Sequence, residues 1–567
     1  MDLRTCVTNR VVARTSKVAV AVAAALLFGV PHAYAQETRM PGVVDRPGQG
    51  LPGDFDEEKA EGTGLSAPEY QGAATGNEPI ATIRRVEFTG DLVLDEQVLQ
   101  RAVAAYLDKP LTGRDLSELK YEITSLYFTE GYSLVKVVTP PQKLGEGVLK
   151  IRIYMGRVGD TEVENSVGLS AAVVEAMGQR LEKGEVFDER VAESVLQDLN
   201  DLKNVSARLN LRAGQEKGTT DLRLYLSEAD EDVQRVSLVN YGSDLTGKLV
   251  LTGEFEKSNL MGLGETLGLT LRKSDEDLTS AMISLETPIG LGNAKLEANY
   301  LHSENEIGDY LAALQASGES DIFNIAVSSN LLNMRREKAT VRVGLQQRTH
   351  ESFLAAGVKE SEDNITRVYA EGSYLKRTER SVLYTSLRLG KGVSWLGADD
   401  TGEADATRST GNPRAWIMNA SLVGRFKVAE RDDLMLTMQA QKASDDLLSS
   451  DLLSVGGYYS VRGFQPAETT GEHGVTLSLE YNHNYAPVNG WDVKVSQFVD
   501  LGHVSNNVAG SVTDSTLKSI GIGAEFNRDW GGQSSTRVRI DLAHPVGDYD
   551  STTVDDNTIY ASLTQTF

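Results

Sequence analysis

The sequence predicts a mainly β protein: a sixteen-stranded antiparallel β-barrel of the outer-membrane kind, preceded by two small α+β domains. Three observations predict it. Apolar and polar residues alternate in segments of about ten from Val233 to the C-terminus, the connections between those segments alternate in length, and residues 81 to 232 show helical periodicity instead.

The 567 residues are too many for one compact unit at the usual size of about 150 per domain. Charged residues make up 24% and hydrophobic residues 40%, with a mean hydropathy of -0.27, which excludes a bundle of membrane helices. These averages leave a barrel open, because alternation hides its lipid-facing half. The formal net charge of -25 repels phosphate backbones, so no nucleic acid partner is expected.

Arg4, Arg10, Arg14 and Lys17 lead into an apolar run of 13 residues, Val18 to Val30, and Ala33-Tyr34-Ala35 follows with small residues at a cleavage spacing. The run is shorter than the roughly 20 residues of a membrane-spanning helix, so residues 1 to 35 read as a cleaved signal peptide rather than a buried helix. Its loss removes four basic residues and Asp2, taking the charge from -25 to -28, and removes the lone Cys6. A cysteine-free mature chain needs no disulfide chemistry after export. Residues 36 to 80 hold Pro41, Pro47, Pro52, Pro68 and Pro79 among many glycines and read as a periplasmic tether.

Residues 81 to 156 read as a strand (Ile83 to Phe88), two helices and two more strands (Ser133 to Val138, Val148 to Tyr154). Leu116, Leu119, Ile123 and Leu126 form one apolar stripe that covers a small sheet. Residues 157 to 232 repeat the order, with a helix near Leu169 to Leu181, a second carrying Val191, Val195, Leu199 and Leu202, and strands Val205 to Leu211 and Thr219 to Leu226. Two consecutive β-α-α-β-β modules are therefore expected, rather than one undivided α+β domain.

From Val233 to Phe567, Val341, Val343 and Leu345 alternate with Thr340, Arg342 and Gly344, and Val538, Ile540 and Leu542 alternate with Arg537, Arg539 and Asp541. Ile520, Ile522, Ala524 and Phe526 alternate with Ser519, Gly521, Gly523 and Glu525. Sixteen such strands are expected, beginning near Val233, Lys248, Thr266, Ser280, Ala294, Asp321, Ala339, Ile365, Ser381, Ala415, Leu434, Val475, Val493, Ser519, Arg537 and Thr558. An even number suits a closed antiparallel barrel with both ends on one side.

Short connections such as Arg335-Arg336-Glu337-Lys338, Lys376 to Arg380 and Ala486 to Gly490 alternate with long ones: Ser303 to Ser320, Lys391 to Pro413, Ser444 to Gly474 and His544 to Asn557. Charge sorts with length, since Glu304, Glu306, Asp309 and Glu319 share the first long loop without a base, whereas the short turns are basic. A soluble sandwich or propeller explains the alternation but not this two-sided sorting. Ile559, Ala561, Leu563 and the terminal Phe567 share one face of the last segment, which resembles the insertion signal of bacterial outer-membrane proteins, although Gln565 interrupts it.

Within the long connection Ser444 to Gly474 lies Val461-Arg462-Gly463-Phe464. Gly463 permits close backbone approach and Phe464 is too apolar for open water, so this loop is expected to fold inward. Past the next strand, Phe498, Asp500 and Gly502 share one strand face, and Asp500 offers a carboxylate for a bidentate pair with Arg462.

Val461-Arg462-Gly463-Phe464 with Phe498-x-Asp500-x-Gly502 resembles the signature of the Omp85 superfamily. The two modules resemble its periplasmic POTRA repeats, and Asn259-Leu260-Met261-Gly262-Leu263-Gly264-Glu265 resembles the turn near its barrel start. Two POTRA-like modules point to the two-partner secretion transporters (TpsB) of the ShlB/FhaC/HecB type, the haemolysin and filamentous-adhesin exporters. That family often carries a plug helix where the proline-rich tether lies here. The resemblance implies export of one large secreted protein, docked on the POTRA modules by strand addition and threaded through the lumen without ATP. It also implies that Arg462 and Asp500 hold the loop while Phe464 packs on the wall. Contact with outer-membrane lipids, help from barrel assembly machinery during biogenesis and a monomeric state are expected. The alternatives are an assembly factor that inserts other barrels, or a passive porin.

No enzyme is expected. Gly262 to Gly268 does not match G-x-G-x-x-G and leads into a strand, which is the wrong setting for phosphate. Seven histidines are scattered without H-E-x-x-H, so no catalytic residue, metal or cofactor is assigned.

Overall fold

The computed structural model describes residues 78–229, 232–308, 315–354, 357–507, 514–547 and 557–567. The signal-peptide and tether readings fall outside these, apart from 78–80, and so does the acidic stretch 548–556.

The first unit contains β1 (Pro79–Ile83), β2 (Arg85–Gly90), α1 (Glu96–Val103), β3 (Lys109–Thr112), α2 (Gly113–Thr129), β4 (Val135–Val138) and β5 (Val148–Met155). Strand β5 alternates cleanly and buries Leu149, Ile151, Ile153 and Met155. Helix α2 starts at a capping box in which Thr112 and Asp115 satisfy each other's backbone N–H, and it lays Leu119, Ile123 and Tyr127 on the sheet. The sheet runs β2-β5-β4, with β2 and β5 parallel. A separate antiparallel pair, β1 with β3, is absent from the sequence reading. Strand β3 has four residues including Pro110, too few to show alternation.

The second unit contains β6 (Arg157–Asn165), α3 (Ala171–Gly178), α4 (Glu189–Asn200), β7 (Val205–Ala213) and β8 (Thr219–Glu228). Its sheet order is β6-β8-β7, again with a parallel first pair, and its helices bury Val173, Met177, Val195 and Leu199 in a core of its own.

The rest is a closed barrel of sixteen antiparallel strands. The first six are β9 (Val233–Val239), β10 (Val250–Ser258), β11 (Thr266–Ser274), β12 (Thr279–Pro288), β13 (Lys295–Glu306) and β14 (Ser317–Asn333). Then come β15 (Glu337–Leu354), β16 (Val358–Thr378), β17 (Ser381–Val393), β18 (Trp416–Lys427) and β19 (Asp432–Ala443). Two short strands, β20 (Leu453–Val455) and β21 (Thr469–Gly471), pair with each other inside the connection that follows. The barrel resumes with β22 (His473–Asn484), β23 (Asp492–Ser505), β24 (Asp514–Gly531), β25 (Ser534–Pro545) and β26 (Thr558–Thr566).

Neighbours in sequence are neighbours in the wall, and β26 closes on β9. This seam pairs only Ser562 to Thr566 with Val239 to Arg235, fewer residues than any other junction of the described barrel. Above it the Asn240 side chain takes over, donating to the Ile559 carbonyl (2.9 Å) and accepting from the Ala561 amide (2.6 Å).

Alternation sets the two faces. Val343, Ile522 and Ile540 point outward and are exposed, as a lipid-facing surface requires. Arg342, by contrast, lines the lumen in a ladder with Glu297 (2.8 Å) and Glu371 (2.6 Å). The outer connection read as Ser303 to Ser320 is shorter than expected, spanning 307–316, because β13 and β14 continue as strands beyond their apolar stretch. Ladder hydrogen bonds there need no apolar face, so the polar run that resembles a loop is strand.

Candidate functional site

The connection between β19 and β22 turns into the barrel. Gly456, Gly457 and Gly463 all take positive φ, which lets the backbone fold back on itself so that Gly457 accepts from and donates to the residues around the tip. Its apolar residues then find partners: Phe464 is buried with Leu453, Val455 and Val461 of its own loop and with Val504 and Leu517 of the wall. Phe464 thus packs on both the loop and the barrel.

Arg462 is 5% exposed. Its Nε donates to Asp500 Oδ2 (2.8 Å) and its Nη2 to Asp500 Oδ1 (2.9 Å), a bidentate fork, while its backbone N–H donates to Oδ2 (3.2 Å). Nη1 donates to Glu480 Oε2 (3.1 Å) and Nη2 also to Ser478 Oγ (3.2 Å). The guanidinium lies flat on Phe498, with Cζ 3.3 Å from the ring centroid. In a buried site such a cation is tolerable because two carboxylates, a hydroxyl and a ring take the place of water around it.

Strand periodicity explains the constellation. Phe498, Asp500 and Gly502 sit two residues apart on the inner face of β23, and Ser478 and Glu480 do the same on β22 directly opposite. Gly502 leaves room for the loop, since a Cβ there would strike Val455 and Val461. Gly521 on β24 likewise makes way for the Phe498 ring.

The structure therefore brings Val461, Arg462, Gly463 and Phe464 against Phe498, Asp500 and Gly502. Phe567 is elsewhere, exposed at the end of β26, where its N–H donates to the Gln234 carbonyl (3.0 Å). Several contributors were not singled out from sequence. Tyr560 Oη accepts from the Gly463 N–H (2.9 Å) and donates to the Phe464 carbonyl (3.3 Å). Tyr241, just past β9, stacks on Tyr458 of the loop (3.7 Å, 12° between planes). Glu480 also receives Arg539 Nη2 (2.9 Å), which extends the network to β25. Glu480 is the one acidic residue of β22 and faces inward by parity, a signal that periodicity contains.

The turn Asn259 to Glu265 anchors the second unit. Asn259 Nδ2 donates to the Val167 carbonyl (2.8 Å), the Ser170 N–H donates to the Gly262 carbonyl (2.7 Å), and Glu265 accepts from the Met261 and Leu263 amides (2.6 and 3.0 Å). A second dock forms where Asp198 of α4, fully buried, receives Asn293 from the turn between β12 and β13 and Asn330 and Asn333 from the end of β14, together with Arg180.

A family model described as haemolysin secretion/activation protein ShlB/FhaC/HecB matches residues 218–526, and one described as POTRA domain, ShlB-type, matches residues 81–156. The heme/hemopexin transporter protein HuxB of Haemophilus influenzae is 26% identical over 496 residues, covering 84% of this chain and 85% of its own. The hemolysin transporter protein HpmB of Proteus mirabilis is 20% identical over 447 residues, 76% of this chain and 77% of its own. Among solved structures, CdiB from Escherichia coli superposes with a TM-score of 0.75 at 20% identity, covering 90% of this chain and 94% of the other. The barrel, the POTRA match and these relatives agree: the chain belongs to the ShlB/FhaC/HecB haemolysin secretion/activation family, two-partner secretion transporters of the outer membrane whose POTRA domains lie in the periplasm.

Proposed function

We propose that this transporter recognises one large secreted protein through two POTRA domains and exports it unfolded, without ATP, with the inward loop displaced or rearranged during conduction. In this reading residues 1–35 are the signal peptide, 36–80 a tether with room for a plug, 81–156 and 157–232 the two POTRA domains, and 233–567 the barrel. Arg462 is the latch, Asp500 with Phe498 its seat, Gly463 and Gly502 the close approach, Val461 and Phe464 the apolar packing, and Phe567 the insertion signal read by the assembly machinery.

The observation that carries the reading is the buried Arg462 inside a closed barrel, held by two carboxylates on adjacent wall strands. A passive porin needs no such fastening. The cargo is of the haemolysin, adhesin or toxin type, which the hemolysin transporter among the relatives supports. The chain acts as a monomer among outer-membrane lipids, uses no cofactor and catalyses no reaction.

Deleting the gene and comparing secreted proteins tests this. Loss of one large exoprotein is expected. Broad loss of outer-membrane proteins points to the assembly-factor alternative, and an unchanged set of secreted proteins overturns the export reading.

A further inference from the structure

The inward loop is fastened at a second place that the Arg462 motif does not reach. Asp451, eleven residues before Arg462, is buried, and its carboxylate receives two guanidinium groups. Arg348 Nη1 of β15 donates to Oδ1 (2.9 Å), and Arg367 of β16 donates through Nη1 to Oδ1 (3.0 Å) and through Nη2 to Oδ2 (2.6 Å). Gln441 of β19 donates to the Asp451 carbonyl (2.9 Å). Next to it Ser450 Oγ donates to Asp363 Oδ2 (3.1 Å), and Asp363 also accepts from the Thr407 N–H (3.0 Å) and hydroxyl (2.7 Å), tying in the outer connection after β17.

The two fastenings lie on different parts of the wall. Three strands, β17, β18 and β19, separate β16 from β22. The loop is thus stretched between a carboxylate of its own held by wall arginines and an arginine of its own held by wall carboxylates. The polarity is opposite at the two ends, so neither can exchange partners with the other. At the Asp451 end two buried guanidinium groups share the Asp451 carboxylate, which makes the site intolerant of the carboxylate's departure unless water follows.

We propose that Asp451, Arg348 and Arg367 are positioning residues for export: a second fastening of the inward loop that must release together with the Arg462 latch before the partner passes. This rests on reading the loop as the gate. It leads to a protein in which each fastening alone keeps the resting channel largely closed less well than both together.

The test uses the full-length protein in planar bilayers and in secreting cells. Asp451→Asn is expected to insert with unchanged heat-modifiable gel mobility and to raise the resting open fraction about tenfold, the population shift expected when a loop loses one of two buried charge clusters. If that variant does not fold, Asp451→Asn with Arg348→Gln and Arg367→Gln removes the uncompensated charges and carries the same expectation. In cells, Asp451→Cys with Arg367→Cys, joined by a cleavable bifunctional thiol reagent, is expected to stop export until the link is cleaved. A merely structural contact predicts no such block. Unchanged resting conductance in the folded variant, or normal export by the cross-linked one, overturns the proposal. Arg462→Ala distinguishes the two levels: if it opens the channel while Asp451→Asn does not, the second fastening alone fails, and if neither opens it the gate reading fails as well.

Discussion

Arg462 lies with its Cζ 3.3 Å from the centre of the Phe498 ring while its Nε and Nη2 reach Asp500, two residues further along the same strand. One strand face thus offers a flat ring and a flat carboxylate at the spacing of a planar guanidinium. Only arginine satisfies both, because an ammonium neither forks nor stacks in this way.

Arg462→Lys is therefore expected to behave almost as Arg462→Ala. Both leave Asp500 and part of Glu480 buried with too few donors, at a cost of about 3–5 kcal/mol to loop docking. Secretion of the partner is expected to fall by an order of magnitude or more, while heat-modifiable mobility reports an intact, inserted barrel. Full secretion by the lysine variant shows that fork and stack are dispensable.

Gly502→Val places methyl groups where Val455 and Val461 already pack. The overpacking cost of about 1–3 kcal/mol is expected to push the loop off the wall without unfolding β23, whose ladder is unaffected. Protease sensitivity of the loop in intact cells measures this, and Gly502→Ala is expected to be milder.

Tyr560→Phe removes one hydroxyl that serves Gly463 and Phe464 and leaves a buried N–H without its acceptor. The expected cost is about 1–3 kcal/mol. Export is expected to weaken less than in Arg462→Ala, and the two effects are expected to be non-additive in a double-mutant cycle, since both act on the same four-residue segment.

Asp198→Ala is expected to loosen the second α+β unit from the barrel, because three asparagine amides and Arg180 lose their common acceptor. Faster proteolysis between the unit and β9, with an unchanged barrel, is the measurement. Equal cleavage in both proteins shows that the Asn259 to Glu265 turn and the Asp201 contacts with Asn330, Asn333 and Lys338 hold the unit without Asp198.

In the first unit, Thr112 holds the Asp115 carboxyl below the ordinary carboxylate range through its hydroxyl and its backbone N–H. A depressed folded-state value means that this contribution is fully present above the unfolded value of about 4 and is lost as pH falls through the lower folded value. Protection of the first α2 amides, relative to their intrinsic exchange rate, is expected to fall below about pH 4 in the parent, whereas Asp115→Asn is expected to show lower protection at every pH with no such acid step.

Much of the architecture is a local property of the chain. Alternation over ten residues assigns each strand an inner and an outer face whatever it pairs with, so the sixteen strands could be read from Val233 onward, although β14, β16 and β24 begin four to seven residues earlier than their apolar stretches. The parity of Phe498, Asp500 and Gly502 is equally local, and the glycines beside Arg462 and Phe464 mark a segment that turns inward. Closure is a different matter. That Tyr560 of the last strand stands beside Gly463 depends on β26 meeting β9, a contact between residues more than 300 apart, and the Tyr241 stack arises from the same closure. Nothing local sets Asp451 apart within the connection Ser444 to Gly474; the wall strands that place Arg348 and Arg367 around it do. Asp198 is legible as part of a helix, and its docking role comes from three asparagines far along the chain, one in a barrel turn and two at the end of β14. Periodicity tells which side of a strand a residue takes; what it meets on that side is set by strand order and by the curvature that brings distant segments into one lumen.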